Sequence, residues 1–185
     1  MLLSADKKRY GEEKIPLFQM FMRLKQETKN PILKIIYKIC FVYFRNRLLI
    51  EMSVDSNIDA GAYFGHPFCI NINPHSKIGK NCNIHKGVTI GQENRGVRKG
   101  APTIGNEVWI GVNATIVGKI SIGNDVLIAP NTYVNCDIPS HSIVFGNPCI
   151  IKHNDRATEG LLIEKFDVYR RKKHIKQMEK DCHIL

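Results

Sequence analysis

Histidine is the side chain best suited to moving protons near neutral pH, and the chain carries seven. His66 has the most unusual setting, in GHPFCI at residues 65–70, between a glycine and a proline in a stretch otherwise rich in Ile, Asn and Gly. Two readings of it stand: a base held at a surface, and a polar residue in a turn. His85, in IHKGVTIG, follows nineteen positions later. His75 and His141 sit in NPHS and PSHS, which read as turns. Cysteines at 40, 69, 82, 136, 149 and 182 make no C-x-x-C pair and no zinc spacing, so reduced thiols and no metal are expected. Arg95, Arg98 and Lys99 crowd a polar stretch, where they meet an anionic partner or face solvent.

These residues need a scaffold. The chain has 185 residues and is 43% hydrophobic, enough for one principal domain with a helical appendage. A net charge of +10 suits anionic partners, but no base-stacking aromatic pattern accompanies the basic residues, so nucleic acid is not expected. The opening MLLSADKKRYGEEK is charged where a signal peptide needs an apolar core, so the expected location is the cytoplasm. Residues 31–48 are apolar and aromatic but interrupted by Lys34, Lys38 and Arg45, too short and too charged for a span. They read as a helix packed on the main domain or lying at the inner face of a membrane.

From about residue 50 the pattern changes. Ile104, Ile110, Ile116, Ile122, Ile128 and Val134 occupy every sixth place. With aliphatics at about a quarter of positions, chance gives such a run on the order of once in a few thousand, so the period is a structural signal. A six-residue step does not keep one helical face, whereas a solenoid of three short strands per turn places every sixth side chain inward. Val108, Ala114, Ile120, Val126, Thr132 and Ile138, at the fifth places, share that interior. The phase continues backward through Ile90, Ile84, Ile78 and Ile72, then, after a two-residue offset, through Ile70, Phe64, Ile58 and Met52. Residues 92–103, QENRGVRKGAPT, interrupt it as a loop extruded from one corner. The expected division is a helical segment at 1–49, the solenoid at 50–150, and a helical extension at 151–185 whose helix runs over 156–182.

The repeats at 104–139, with GHPFCININPHSKIGKNC, HKGVTIG and GNP at 146–148, resemble the hexapeptide-repeat acyltransferases, serine acetyltransferase branch, with its capsule and exopolysaccharide O-acetyltransferase relatives. The resemblance implies a mainly β, left-handed parallel β-helix, a homotrimer, acetyl-CoA as donor, and active sites between prisms. It places the catalytic histidine at His66 and the orienting carboxylate at Glu51, fifteen positions earlier. It also places donor contacts at Gly91, Gly111, Val112, Ala129 and Pro130, where small side chains let a pantetheine arm lie against the strands. His85, Trp109, Arg95 and Arg98 are candidates for the acceptor site, against plain alternatives of surface or packing roles. Two positions depart from the serine enzymes: Ala101 stands where they carry a second histidine, and Gly65 replaces the aspartate before the catalytic histidine.

Those departures read as a more open site. The expectation is therefore an acetyl-CoA-dependent O-acetyltransferase acting on a polysaccharide, glycan precursor or sugar. Serine O-acetylation is the alternative within the same chemistry, and a non-catalytic β-helical binding or assembly scaffold is the alternative of another class.

Overall fold

The computed structural model describes residues 1–162. It is a parallel β-solenoid of about five turns, a left-handed β-helix, preceded by three helices. The helices are α1 (Leu2–Arg9), α2 (Leu17–Glu27) and α3 (Pro31–Arg47). The strands are short: β1 (Asn57–Ile58), β2 (Tyr63–Gly65), β3 (Asn71–Ile72), β4 (Lys77–Ile78), β5 (Asn83–His85), β6 (Thr89–Gly91) and β7 (Thr103–Ile104), then β8 (Val108–Ile110), β9 (Thr115–Val117), β10 (Ser121–Ile122), β11 (Val126–Ile128), β12 (Tyr133–Val134), β13 (Ser142–Phe145) and β14 (Ile150–His153). They form three sheets, β1-β4-β7-β10, β2-β5-β8-β11-β13-β14 and β3-β6-β9-β12, which are the faces of a triangular prism.

The hexapeptide phase is the physical basis of this prism. Ile104, Ile110, Ile116, Ile122, Ile128 and Val134 are all buried, as are Ile72, Ile78, Ile84 and Ile90 and the offset set Met52, Ile58, Phe64 and Ile70. Each stacks on its equivalent one coil away, as in the pairs Ile78 with Ile104, Ile110 with Ile128, and Ile90 with Ile116. Ile138 departs from the expected phase: it sits beside Ile122, a sixth-place residue, because the last corner is two residues shorter. Corners turn through left-handed residues, among them Gly87, Asn113 and Asn131 on one edge.

The two ends of the six-stranded sheet are built differently. At its far end β14 pairs antiparallel with β13. That strand occupies Ile150–His153, where the expected helical extension begins; residues 155–161 form turns, and the expected helix beyond Leu162 lies outside the described residues. At the near end α1 and α2 clamp β1 and β2 through a buried polar network. Asp6 and Arg23, both fully buried, pair at 2.7 Å. Asp6 Oδ1 accepts from the backbone N–H of Gly61 (2.8 Å) and Ala62 (3.1 Å), while Arg23 donates to the carbonyls of Ile58 (2.7 Å) and Asp59 (2.8 Å). Tyr10 Oη accepts from Phe64 N at 2.8 Å and donates to Gln19 Oε1. Asp6, Tyr10, Gln19 and Arg23 thus satisfy one another and the backbone, the condition under which buried charge is tolerable, whereas the neighbouring buried Arg9 pairs only through Nη2, with Asn83, and leaves Nε and Nη1 without a partner.

α3 starts at an Asn30 cap followed by Pro31 and buries Phe41. Val42, Phe44 and Leu48 pack partly against the core. Its other face, Ile32, Ile35, Ile36, Ile39 and Tyr43, is exposed. No helix among the described residues is long and apolar enough to cross a membrane.

Candidate active site

The corner between the six-stranded sheet and the β3-β6-β9-β12 sheet recurs once per coil. In most coils it is brief, but in the first it swells. Gly65 pairs with His85, twenty positions on, whereas Asn71 pairs with Thr89, eighteen positions on, so two extra residues lie between β2 and β3. His66 occupies this enlarged turn, exposed, with φ at +49°, and Cys69 is also left-handed at +51°. A side chain in that region costs about 1–2 kcal/mol. Three hydrogen bonds hold the turn: Lys86 N to Gly65 O (3.1 Å), Gly87 N to Phe68 O (2.9 Å), and Cys69 N to Leu48 O at the end of α3 (2.9 Å). The imidazole stands on a fixed base with its own nitrogens uncommitted among the described residues.

His85, the predicted neighbour, is directly over Gly65. Its Cδ2 and Nε2 lie 2.6 and 2.8 Å from where a Cβ on residue 65 would stand. Its Nδ1 is 2.9 Å from the Ile110 carbonyl and its ring lies against Trp109, centroids 4.5 Å apart. A carbonyl only accepts, so Nδ1 carries the proton and Nε2 keeps its lone pair. Burial lowers the His85 pKa from its ordinary value; the Ile110 carbonyl works against this, and proximity to His66 adds to the lowering. At pH 7 the ring is neutral.

Glu51 is on the next face, paired as a lone bridge with Asn71 at the start of the β3 sheet. Its carboxylate accepts from Asn71 Nδ2 at 2.9 Å, and no hydrogen bond joins it to His66 among the described residues. A cleft of about 380 Å³ opens there, lined by Arg45, Glu51, Asn71 and Asn73 among others.

The donor positions divide. Gly111, Val112, Ala129 and Pro130 stack on the corner that carries His66, forming a strip without long side chains. Part of the strip's backbone is paired between coils. Gly111 N donates to Ile128 O, Ala129 N to Val144 O, and Val112 O accepts from Asn131 N, all between coils, and Pro130 has no N–H. Gly111 is glycine because a Cβ would lie 2.6 Å from Pro130 N. Gly91 ends β6, at the next corner round the prism, where the extruded loop departs. Arg95, Arg98 and Lys99 are exposed on that loop, which a Glu93–Gly100 bridge and a Lys119 N to Arg98 O bond hold against the following coil. Within one chain the fold leaves them on a different corner from His66.

Sequence reasoning missed Asn71 as the partner of Glu51 and missed the clamp that fixes β2. The two-residue offset was the available signal for the enlarged turn.

The pattern of the bacterial transferase hexapeptide family (six repeats) matches residues 101–136. A serine acetyltransferase of Helicobacter pylori is 33% identical over 107 residues, 58% of this chain and 63% of the relative. One of Staphylococcus aureus is 32% identical over 139 residues, 71% of this chain and 64% of the relative. The chain carries the hexapeptide repeat and is similar to serine acetyltransferases. It spans about two-thirds or less of the length of those relatives. Two solved structures share its fold. Serine acetyltransferase isoform 3 from Entamoeba histolytica, in complex with cysteine, has a TM-score of 0.63 at 23% identity, covering 83% of this chain and 61% of that one. The Neisseria gonorrhoeae serine acetyltransferase in complex with serine has a TM-score of 0.62 at 24% identity, covering 81% and 67%.

These names overturn the expected polysaccharide, capsule or sugar acceptor and favour the serine alternative. The geometry explains the error. Gly65 was read as room for a larger acceptor, but the His85 ring fills the space a side chain there would take.

Proposed function

We propose that this β-helix is an acetyl-CoA-dependent serine O-acetyltransferase. One observation carries the chemistry: an exposed imidazole with uncommitted nitrogens, on a turn pinned from three sides, on the corner where the later coils present Gly111, Val112, Ala129 and Pro130. His66 removes the proton from the serine hydroxyl as that oxygen attacks the thioester carbonyl. The carbon–sulfur bond then breaks, and the imidazolium returns its proton to the departing thiolate. Glu51, held by Asn71, is assigned as the carboxylate that balances that charge. Gly111, Val112, Ala129 and Pro130 leave space for the pantetheine arm, and Arg95 and Arg98 offer charge to its phosphates. The acetyl-CoA KM of an Arg95→Ala/Arg98→Ala variant checks that last assignment.

The test is thiol release from acetyl-CoA with and without serine. Serine-dependent release is expected; its absence at saturating serine overturns the reading. A narrow prism with an exposed catalytic turn and basic residues on another corner suits a homotrimer, in which one protomer's loop meets its neighbour's turn. Sedimentation equilibrium decides that, a monomer being the contrary outcome.

The exposed isoleucines of α3, flanked by Lys34, Lys38 and Arg47 with no acidic residue between 28 and 50, suit an anionic lipid surface. Flotation with phosphatidylglycerol but not phosphatidylcholine vesicles supports this. No flotation with either, or isoleucines covered by a second copy, counts against it.

A further inference from the structure

Gly65 and His85 are one feature, built from two positions twenty residues apart. The register sets them face to face on β2 and β5, and the Cδ2–Nε2 edge of His85 occupies the volume of any side chain at 65. The ring is fixed at three points: its Nδ1–H by the Ile110 carbonyl, one side by Trp109, and its far edge by the bare Gly65 backbone. This arrangement leaves Nε2 as a lone-pair acceptor. No protein donor engages it among the described residues, and it is not among the buried atoms lacking a partner. His66 follows Gly65 directly, close enough for its charge to bear on the His85 ring. A neutral acceptor, locked in one tautomer, therefore stands beside the proposed base.

We propose that His85 Nε2 receives an N–H of the acceptor's ammonium group, making His85 a specificity-determining residue for serine. The inference rests on the serine reading above. The hydroxyl to be acetylated and the amino group lie on adjacent carbons of serine, so two neighbouring imidazoles with different tasks match two neighbouring groups. His66 takes a proton from the hydroxyl; His85 takes no proton and orients the amine. Neutrality is essential, since an imidazolium would repel the ammonium and has no lone pair to offer. The buried, hydrogen-bonded ring provides it. Gly65 is the enabling residue: a methyl group there meets the ring at under 3 Å and forces it to move.

The experiment compares wild type, His85→Leu, His85→Gln, Gly65→Ala and the Gly65→Ala/His85→Leu double variant in the full chain. Acetyl-CoA binding is measured calorimetrically as a check on the fold. Acceptors are serine and 3-hydroxypropionate, which has the hydroxyl and carboxylate without the amine. A hydrogen bond to a charged group is worth enough to move binding by about tenfold or more. His85→Leu is therefore expected to raise the serine KM about tenfold, leave kcat within a few-fold, and erase the preference for serine over 3-hydroxypropionate. His85→Gln, which retains an acceptor oxygen, recovers part of the loss. Gly65→Ala reproduces the His85→Leu effect, and the double variant adds little to either. An unchanged serine KM in His85→Leu, or a KM loss that is equal for both acceptors, overturns the proposal while serine acetylation stands. A wild-type protein that releases no thiol with serine removes both.

Discussion

The middle coils and the first coil of this prism are built from the same hexapeptide, yet they do different work. In the middle coils β7, β8 and β9 each pair with the strand eighteen residues on, as in Thr103 with Ser121, Val108 with Val126, and Thr115 with Tyr133. Below them the step is twenty from β1 to β4 and from β2 to β5, and twenty-six from β4 to β7 and from β5 to β8. The first excess is the turn that lifts His66 out of the stack; the second is the loop bearing Arg95 and Arg98. Regular coils bury identical side chains on identical neighbours. The irregular places are where backbone leaves the stack and can present a group outward, as it does His66.

The sharpest way to separate the two roles is His66→Ala. Loss of a general base lowers kcat by about 10²- to 10⁴-fold, with acetyl-CoA binding and the denaturation midpoint little changed. Retained turnover removes His66 from the mechanism. Asp6→Ala attacks the same coil from beneath. It leaves Arg23 buried without its counter-charge and frees the N–H groups of Gly61 and Ala62, so unfolding free energy in urea should fall by about 3–5 kcal/mol. In the middle coils, Ile110→Ala opens a cavity between buried Ile84 and Ile128 and should cost about 2–5 kcal/mol, with kcat per folded molecule retained. A variant that lost activity without stability there would erase the distinction between the two regions.

The same contrast explains what could be read in advance. Inward positions were legible because each one packs on its own equivalent, so the period in the sequence is the contact in space; even the two-residue offset before Ile70 is visible as a phase slip. Contacts that cross coils or join helices to coils carry no such period. Nothing near Asp6 marks it as the partner of Arg23 and of the Gly61 backbone, and nothing near Glu51 points to Asn71. Their pairing depends on which helix face meets which coil. His85 was placed near His66 by counting one turn, but that its ring fills the space over Gly65 depends on a register shifted by the extra two residues. The empty position at 65 was therefore mistaken for an open site.

The smallest expected effect lies at the far end, where a tether replaces the clamp. Asp125, on the corner before β11, accepts from Thr158 Oγ1 (2.5 Å), Thr158 N (3.0 Å), Ala157 N (3.2 Å) and His141 Nδ1 (3.0 Å), fastening the segment that follows β14. Burial alone would raise its pKa, but the bonds from Thr158, His141 and Ala157 outweigh it and the value falls below the ordinary carboxylate one. A carboxylate with a depressed folded pKa stabilises fully above its unfolded pKa and loses that contribution as pH falls through the folded one. The tether should therefore be intact from neutral pH down to the ordinary carboxylate range and loosen only below it. In Asp125→Asn the opening free energy of residues 154–162, read by amide hydrogen exchange, should drop by about 1–2 kcal/mol at neutral pH and lose this acid dependence. Exchange at Gly61 and Ala62, held by Asp6 at the opposite end, should not change. If the two ends loosened together, the coils between them would be transmitting strain, and the division of the prism into a supporting stack and separately anchored ends would fail.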